Sequence, residues 1–576
     1  MLTVEGKNVI PESPLMEYPT PQFARDSYLS LNGVWDFSID GQAESHSYYD
    51  RKIVVPFAVE SPLSRVGVRI KKGDVLHYRK TFRIPSAFGK GRVLLHFEAV
   101  DQICDVYLNG SKIAHHEGGY QPFTVDLIEL VRGENVLCVD VTDDTDSPIF
   151  PRGKQRNKRG GIWYTPTSGI WGSVWLESVP NEVIQRLEIT PQFDDKNVQI
   201  RAIFEGKIKK SLISVSYLGR EVGKAEFDES GCATISLEDA FFPWSPESPR
   251  LYDLEVQINE DKVRSYFAMR KFGVVEWKGF KVFGLNNKPY FLNGLLDQGY
   301  WPDGGLTPPS DKAMADDIIA AKSLGYNTLR KHIKIEPMRW YYHCDRLGMI
   351  VIQDMVNGGS SYKFRYIALR PLFGFAVSDE APYQKLGRSS SRGRELFLEE
   401  TEATVQRLYN CPCIAIWTLF NEGWGQFDAA KNTELLASLD HTRLIDSTSG
   451  WFDKGAGDFS SHHVYFKKVK LHNDGSRVLS LSEFGGYSLF VEMHTYSSKA
   501  FGYKKTKSEA DLVKKLRSLY LEQVEPLIAK EGLSVAILTQ LTDVEDEING
   551  LLTYDRKKVK VSVMEMEKIN AEMKFK

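Results

Sequence analysis

The sequence predicts a multidomain β plus α/β protein: an N-terminal jelly-roll β-sandwich over residues 1–180, an immunoglobulin-like β-sandwich over 181–277, and a C-terminal (β/α)8 TIM barrel over 278–576. Three observations carry this. The first 180 residues alternate apolar and polar side chains in short runs separated by turn residues, the period of half-buried strands. The next 95 or so repeat that pattern at the size of a single small sandwich. From about residue 278 the rhythm changes to strand, helix, strand, and eight such units fit in the remaining 300 residues.

In the first region the strands are Leu31–Ser38, Tyr78–Ile84, Val93–Glu98, Cys104–Leu108, Val136–Val141 and Val174–Glu177. Asn109-Gly110 is a hairpin turn, because both central positions of that turn require positive φ. In the second region Val198–Ile203, Ser211–Tyr217 and Tyr252–Ile258 alternate, and Pro243-Trp-Ser-Pro-Glu-Ser-Pro249 is a turn. In the third, the spacing predicts helices over Asp311–Leu324, Pro337–Leu347 and Arg392–Tyr409, the second stopped by Gly348. The barrel strands are expected at Tyr290–Asn293, Asn327–Arg330, Met349–Asp354, Ile414–Trp417, Leu444–Ile445, His463–Tyr465, Val478–Leu481 and Val535–Thr539. Gly359–Arg392 is a long basic and aromatic connection with few helix signals, the kind of loop that shapes a barrel mouth.

Composition excludes several functions. At 42% hydrophobic and 26% charged residues, with a net charge of −3, the chain is globular and has no basic footprint for nucleic acid. No apolar run is long enough to span a membrane, and Met1–Pro19 lacks the charged and apolar blocks of a signal peptide, so a cytoplasmic location is expected. Six sparse cysteines make no disulfide framework, and Cys411-Pro-Cys413 has no second pair with which to hold zinc. His462 and His463 are adjacent, so on a strand they face opposite ways and cannot share one ion. A metal site is therefore not expected. Aromatic content of 12% suits both β-structure and sugar-binding surfaces.

In a TIM barrel function sits at the C-terminal ends of the strands. Those ends carry Asp297, Arg330 and His332, Gln353 and Asp354, Asn421 and Glu422, Asp446, His463 and Tyr465, Glu483, then Thr539, Gln540 and Asp543. Glu422 ends strand four and Glu483 ends strand seven, across the barrel from each other. Two facing carboxylates are what glycoside hydrolysis requires, one protonated to donate to the leaving oxygen and one ionised to attack the anomeric carbon.

These motifs, with Leu31-Asn-Gly-Val-Trp-Asp-Phe37, Asp105-Val-Tyr-Leu-Asn-Gly110, His116-Glu-Gly-Gly-Tyr-Gln-Pro-Phe123 and Thr167-Ser-Gly-Ile-Trp-Gly-Ser-Val-Trp-Leu-Glu177, resemble glycoside hydrolase family 2 along nearly the whole chain. The resemblance implies a retaining exo-β-glycosidase with Glu483 as nucleophile and Glu422 as acid/base. Asn421 would bond the sugar 2-hydroxyl, Tyr465 would steady Glu483, and Arg330 would favour its ionised form. Asp297, His332, Asp354, Gln540, Trp417 and Trp451 are further candidate substrate contacts. No cofactor is required, although Mg2+ or Na+ serves some members, and a homo-oligomer is expected from the family. β-D-Galactosides are the first choice of substrate. The Asn-x-Lys that grips a uronic carboxylate in the family's β-glucuronidases is replaced by Asn549-Gly-Leu551, leaving Lys331 and Lys334 as other sources of charge. An α-L-arabinofuranosidase, a β-glucuronidase and a non-catalytic carbohydrate-binding protein remain the alternatives.

Overall fold

The computed structural model describes residues 1–41, 48–88, 91–128, 130, 133–363, 365–370 and 375–576, except the side chain of Ala368. The first sandwich packs a six-stranded antiparallel sheet against a four-stranded one. Trp35, Phe37, Tyr78 and Phe97 fill the space between them. The Asn109-Gly110 turn joins strands Ile103–Leu108 and Ser111–Glu117, with φ of 50° and 90° at its two residues. The second sandwich pairs sheets of three and four strands around Ile200, Val215, Tyr252 and Val256. Buried Arg25 joins the two sandwiches, bonding Glu177 of the first at 3.1 Å and Asp261 of the second at 2.8 Å.

The barrel strands are β1 Leu292–Asp297, β2 Thr328–Lys331, β3 Ile350–Asp354, β4 Ile414–Asn421, β5 Leu444–Ser449, β6 Phe459–Val464, β7 Val478–Gly485 and β8 Val535–Thr539. All ladders are parallel, in the order β5-β4-β3-β2-β1-β8-β7-β6. β5 and β6 close the ring through the bonds of Asp458, whose N–H donates to Ile445 O and whose Oδ2 accepts from Ile445 N, both at 2.8 Å. Helices α1 Asp311–Ser323, α2 Met338–Leu347, α3 Ser391–Leu408 and α4 Ala429–Leu439 cover the outside. Ser310 and Ser390 cap α1 and α3 through their hydroxyls, and Gly348, at φ 73°, ends α2. Among the described residues no helix is long and apolar enough to cross a membrane.

Phe272–Trp277 pairs with Phe280–Leu285 in a hairpin that seals the bottom of the barrel. Its Phe272, Phe283 and Leu285 pack with Leu292, Ile352 and Ile537. The border placed at 277/278 therefore falls inside this hairpin. β1 lies two residues later than expected and runs to Asp297. Asn293-Gly294, read as the strand's end, lies within it, since a Cβ at Gly294 would meet Thr328 O at 2.8 Å. Glycine there lets β2 come close.

Candidate active site

Arg330 organises the barrel mouth. It ends β2 fully buried, and its fork binds both oxygens of Asp354 at 3.0 and 2.9 Å. Its Nη2 also donates to Asn421 Oδ1 at 2.9 Å, and its Nη1 to Glu483 Oε1 at 3.1 Å. One guanidinium thus fixes residues from β3, β4 and β7. A planar five-donor cation suits this task better than a lysine would. Asn421 Nδ2, though buried, has no partner among the described residues, which leaves it to donate to a ligand. His332 is held by Asp354 at 3.1 Å through Nδ1, and the same nitrogen lies 4.0 Å from Glu483.

Glu483 lies in β7, 4% exposed. The Tyr465 hydroxyl donates to its Oε2 and lies 2.9 Å from Thr539 Oγ1, and the Tyr465 ring stacks on Tyr503 at 3.8 Å. Burial works against ionisation of Glu483, yet the charges of His463, Arg330 and His332 and the Tyr465 bond outweigh it and draw its pKa down to about 2. Burial and the charge of Glu483 push the Tyr465 pKa well up. The pair is therefore a carboxylate accepting from a phenol.

Glu422 follows β4 with φ 50°, a left-handed conformation uncommon for a side chain of this size. Its N–H bonds Ser449 O at 3.0 Å, which holds the turn and aims the carboxyl across the mouth. His463 Nδ1 lies 2.8 Å from Glu422 Oε1 and 3.6 Å from Glu483 Oε2, so the imidazole sits between the two glutamates. Its Nε2 is 3.0 Å from Ser449 Oγ. The glutamates' nearest oxygens and His463 Nδ1 all lie within 4.8 Å of one another. That trio could also hold an ion, but Arg330 already supplies the positive charge against Glu483, and a divalent cation there would face a fixed guanidinium.

The β6 pairing with β7 shifts register between His462 and His463, and the β7 pairing with β8 shifts between Leu481 and Phe484. These irregularities re-aim the strand ends that carry His463 and Glu483. The role of His463 escaped sequence reasoning. The signal available was its spacing from Tyr465, because residues two apart on a strand share a face.

Three expected contacts lie elsewhere. Trp417 points outward into the helix layer, fully buried, its indole N–H on Asp440 at 2.9 Å. Asp297 faces the helix layer too, bound to Lys331 at 2.6 Å, with that ammonium 4.2 Å from the Trp340 ring of α2. Gln540 spends its amide on Asn549 and Gln298, each at 2.8 Å. Trp451 does lie beside the mouth, half-buried, its ring 6.3 Å from His463. Trp417→Phe is accordingly expected to cost about 1–3 kcal/mol of stability through a lost hydrogen bond and a cavity, with kcat/KM retained. Thermal melts beside kinetics check this, and a selective loss of turnover would return Trp417 to the site.

The cleft also has walls that no strand end supplies. Trp424, just after Glu422, lies 6.4 Å from His332, 5.2 Å from Trp163 of the first sandwich and 6.0 Å from Tyr362. Gly425 N bonds Leu386 O at 2.9 Å. The segment 359–392 is thus adjacent to Glu422, although residues 364 and 371–374 of it lie outside those described.

Comparison with known proteins agrees with this architecture. Residues 64–168 match the family described as the glycosyl hydrolase 2 galactose-binding domain-like fold, and residues 275–531 match the glycosyl hydrolases family 2 TIM barrel domain. A β-galactosidase of Thermoanaerobacter pseudethanolicus is 24% identical over 388 residues, covering 64% of this chain and 47% of that protein. The chain spans about half the length of the curated relatives it matches. A β-glucuronidase structure from an uncultured Clostridium sp. superposes with TM-score 0.75 at 17% identity, covering 96% of this chain and 99% of that one. A β-galacturonidase from Eisenbergiella tayi bound to galacturonate does so with TM-score 0.70, also at 17% identity, over 96% and 98%. At such identities the structural likeness concerns the fold. The two family matches together span more than half of the sequence, and the chain belongs to glycoside hydrolase family 2.

Proposed function

We propose that the chain is a retaining exo-β-glycosidase acting on terminal non-reducing sugars, with β-D-galactosides as the first sugar class to test. One observation carries this reading: the nearest oxygens of Glu422 and Glu483 lie within 4.8 Å of each other. Retaining enzymes hold their carboxyls about 5–5.5 Å apart, whereas inverting ones need about 6.5–9.5 Å to admit a water. In the first step Glu422 protonates the glycosidic oxygen while Glu483 attacks the anomeric carbon. The C–O bond to the leaving group breaks and a glycosyl ester forms. In the second step Glu422 takes a proton from water, and the oxygen displaces Glu483 with overall retention. Asn421 Nδ2 is the donor free for the sugar 2-hydroxyl. Trp163 and Tyr362 against Trp424 wall one side of the cleft, which favours chain ends over chain interiors.

The reading is tested on aryl β-galactoside, β-glucuronide, β-mannoside, β-glucoside and α-L-arabinofuranoside, with Glu483→Gln run alongside. Turnover by the native chain and none by the variant is the expected result. A fully active variant would remove Glu483 from the mechanism.

Arg330→Met provides a second test. Glu483 is active when ionised, and its pKa of about 2 keeps it so throughout the working range. Without Arg330 that pKa rises, so the acid limb of kcat/KM moves to higher pH, with a loss of order 10²–10³-fold in rate. An unshifted acid limb in a folded variant would contradict the role given to Arg330.

A further inference from the structure

Lys154 belongs to the basic run Arg152-Gly-Lys-Gln-Arg-Asn-Lys-Arg159, which leaves the first sandwich and crosses the barrel mouth. The run is stitched to the end of β3, with the N–H groups of Arg152 and Gly153 both donating to Asn357 O, at 2.8 and 3.1 Å. Gly153, at φ 62°, approaches so closely that a Cβ would lie 2.7 Å from Ile333 O, the residue after His332. This places Lys154, 5% exposed, beside the catalytic groups. Its ammonium lies 5.4 Å from the Trp424 ring and 5.7 Å from the Tyr164 ring. After burial, its charge is the next influence holding the His332 pKa down.

Arg152 of the run donates to the backbone oxygens of Ser147 and Gly359 and lies over the Tyr362 ring, while four other cations of the neighbourhood are paired with carboxylates. Arg156 bonds Asp146 at 3.2 Å, and Arg159 bonds Glu545 and Asp546 at 3.2 and 3.1 Å. Lys331 and Lys334 are bound to Glu336 at 2.7 and 2.9 Å, so neither supplies the free charge expected of them from the sequence. Lys154 has no carboxylate within ion-pair reach among the described residues. Two aromatic faces compensate a buried ammonium only partly, which leaves its charge open to an anionic group in the cleft.

We propose that Lys154 is a specificity residue that binds an anionic group, a carboxylate or a sulfate ester, on the sugar in this cleft. The inference rests on the glycosidase reading for its place in catalysis, but not for binding. It replaces the lysine missing after strand eight with one delivered by a different domain.

Two measurements separate the two claims. In Glu483→Gln, calorimetry with galacturonate, galactose 6-sulfate and galactose is expected to show an anionic sugar binding at least ten-fold tighter than galactose. Adding Lys154→Gln is expected to erase that preference, and Lys154→Arg to keep part of it. Which of the two anions wins identifies the group. In the Glu483 enzyme, kcat/KM of Lys154→Gln is expected to fall at least ten-fold more on the aryl galacturonide or 6-sulfogalactoside than on the neutral galactoside. Equal losses on all three, or no preference for an anion in binding, would overturn the proposal while turnover of the neutral glycoside left the glycosidase reading standing. Anion-selective binding without turnover of any glycoside would do the reverse.

Discussion

Glu483→Ala is expected to lower kcat by at least about 10⁴-fold, the scale on which enzymes lose a nucleophile, on every substrate the chain hydrolyses. In the proposed mechanism this carboxylate attacks the anomeric carbon, and Arg330 and Tyr465 both hydrogen-bond to it. Alanine leaves space where it stood, so added azide can attack from that side. The product expected from a β-glycoside is then the α-glycosyl azide, with rate partly restored. Glutamine at the same position fills the space and should not be rescued. Rescue yielding the β-azide instead would mean that the missing carboxylate had stood on the leaving-group side, and the two glutamates would exchange roles.

Glu422→Ala is the second large effect, and its signature differs. Protonating the leaving oxygen matters little for a nitrophenolate and greatly for an alkoxide or sugar. A loss of order 10³–10⁴-fold is therefore expected on a disaccharide, and a much smaller loss in the first step on an activated aryl glycoside. Deglycosylation also needs Glu422 as base, so the intermediate accumulates and a burst of aryl alcohol precedes slow turnover. Azide needs no general base and is expected to give the β-azide with faster turnover. Equal losses on both leaving groups, with no burst, would contradict the assignment. His463 complicates this site because its Nδ1 touches Glu422 at 2.8 Å.

Much of the site was legible because barrel geometry converts sequence position into spatial position. Glu422 and Glu483 could be paired across the mouth from strand order alone, and Arg330, Asp354 and Tyr465 follow from the same rule. What failed was the phase within a strand. Asp297 was read as lying past a strand that in fact runs through it, and one strand has two faces. Trp417 lies on the outer face of β4, and periodicity does not say which face of a buried strand is inner. Gln540 was legible as a strand end but not as a group already committed to Asn549. Lys154, Trp163 and Tyr362 were invisible for another reason. They enter the mouth from a sandwich and a long connection, through contacts between residues hundreds of positions apart in the chain, such as Arg152 with Asn357. No local pattern encodes such contacts.

The most direct test of the central claim is to trap the intermediate. A set of 2-deoxy-2-fluoro-β-glycosyl fluorides covering galactosyl, glucosyl and glucuronyl sugars should inactivate the enzyme. The fluorine slows both steps, and the fluoride leaving group restores the first. Intact mass should then rise by one fluorosugar, and peptide mapping should place it on Glu483, within Leu481-Ser-Glu-Phe-Gly-Gly486. A label on any other residue, or hydrolysis of a glycoside with inverted configuration and no covalent label, would contradict the account.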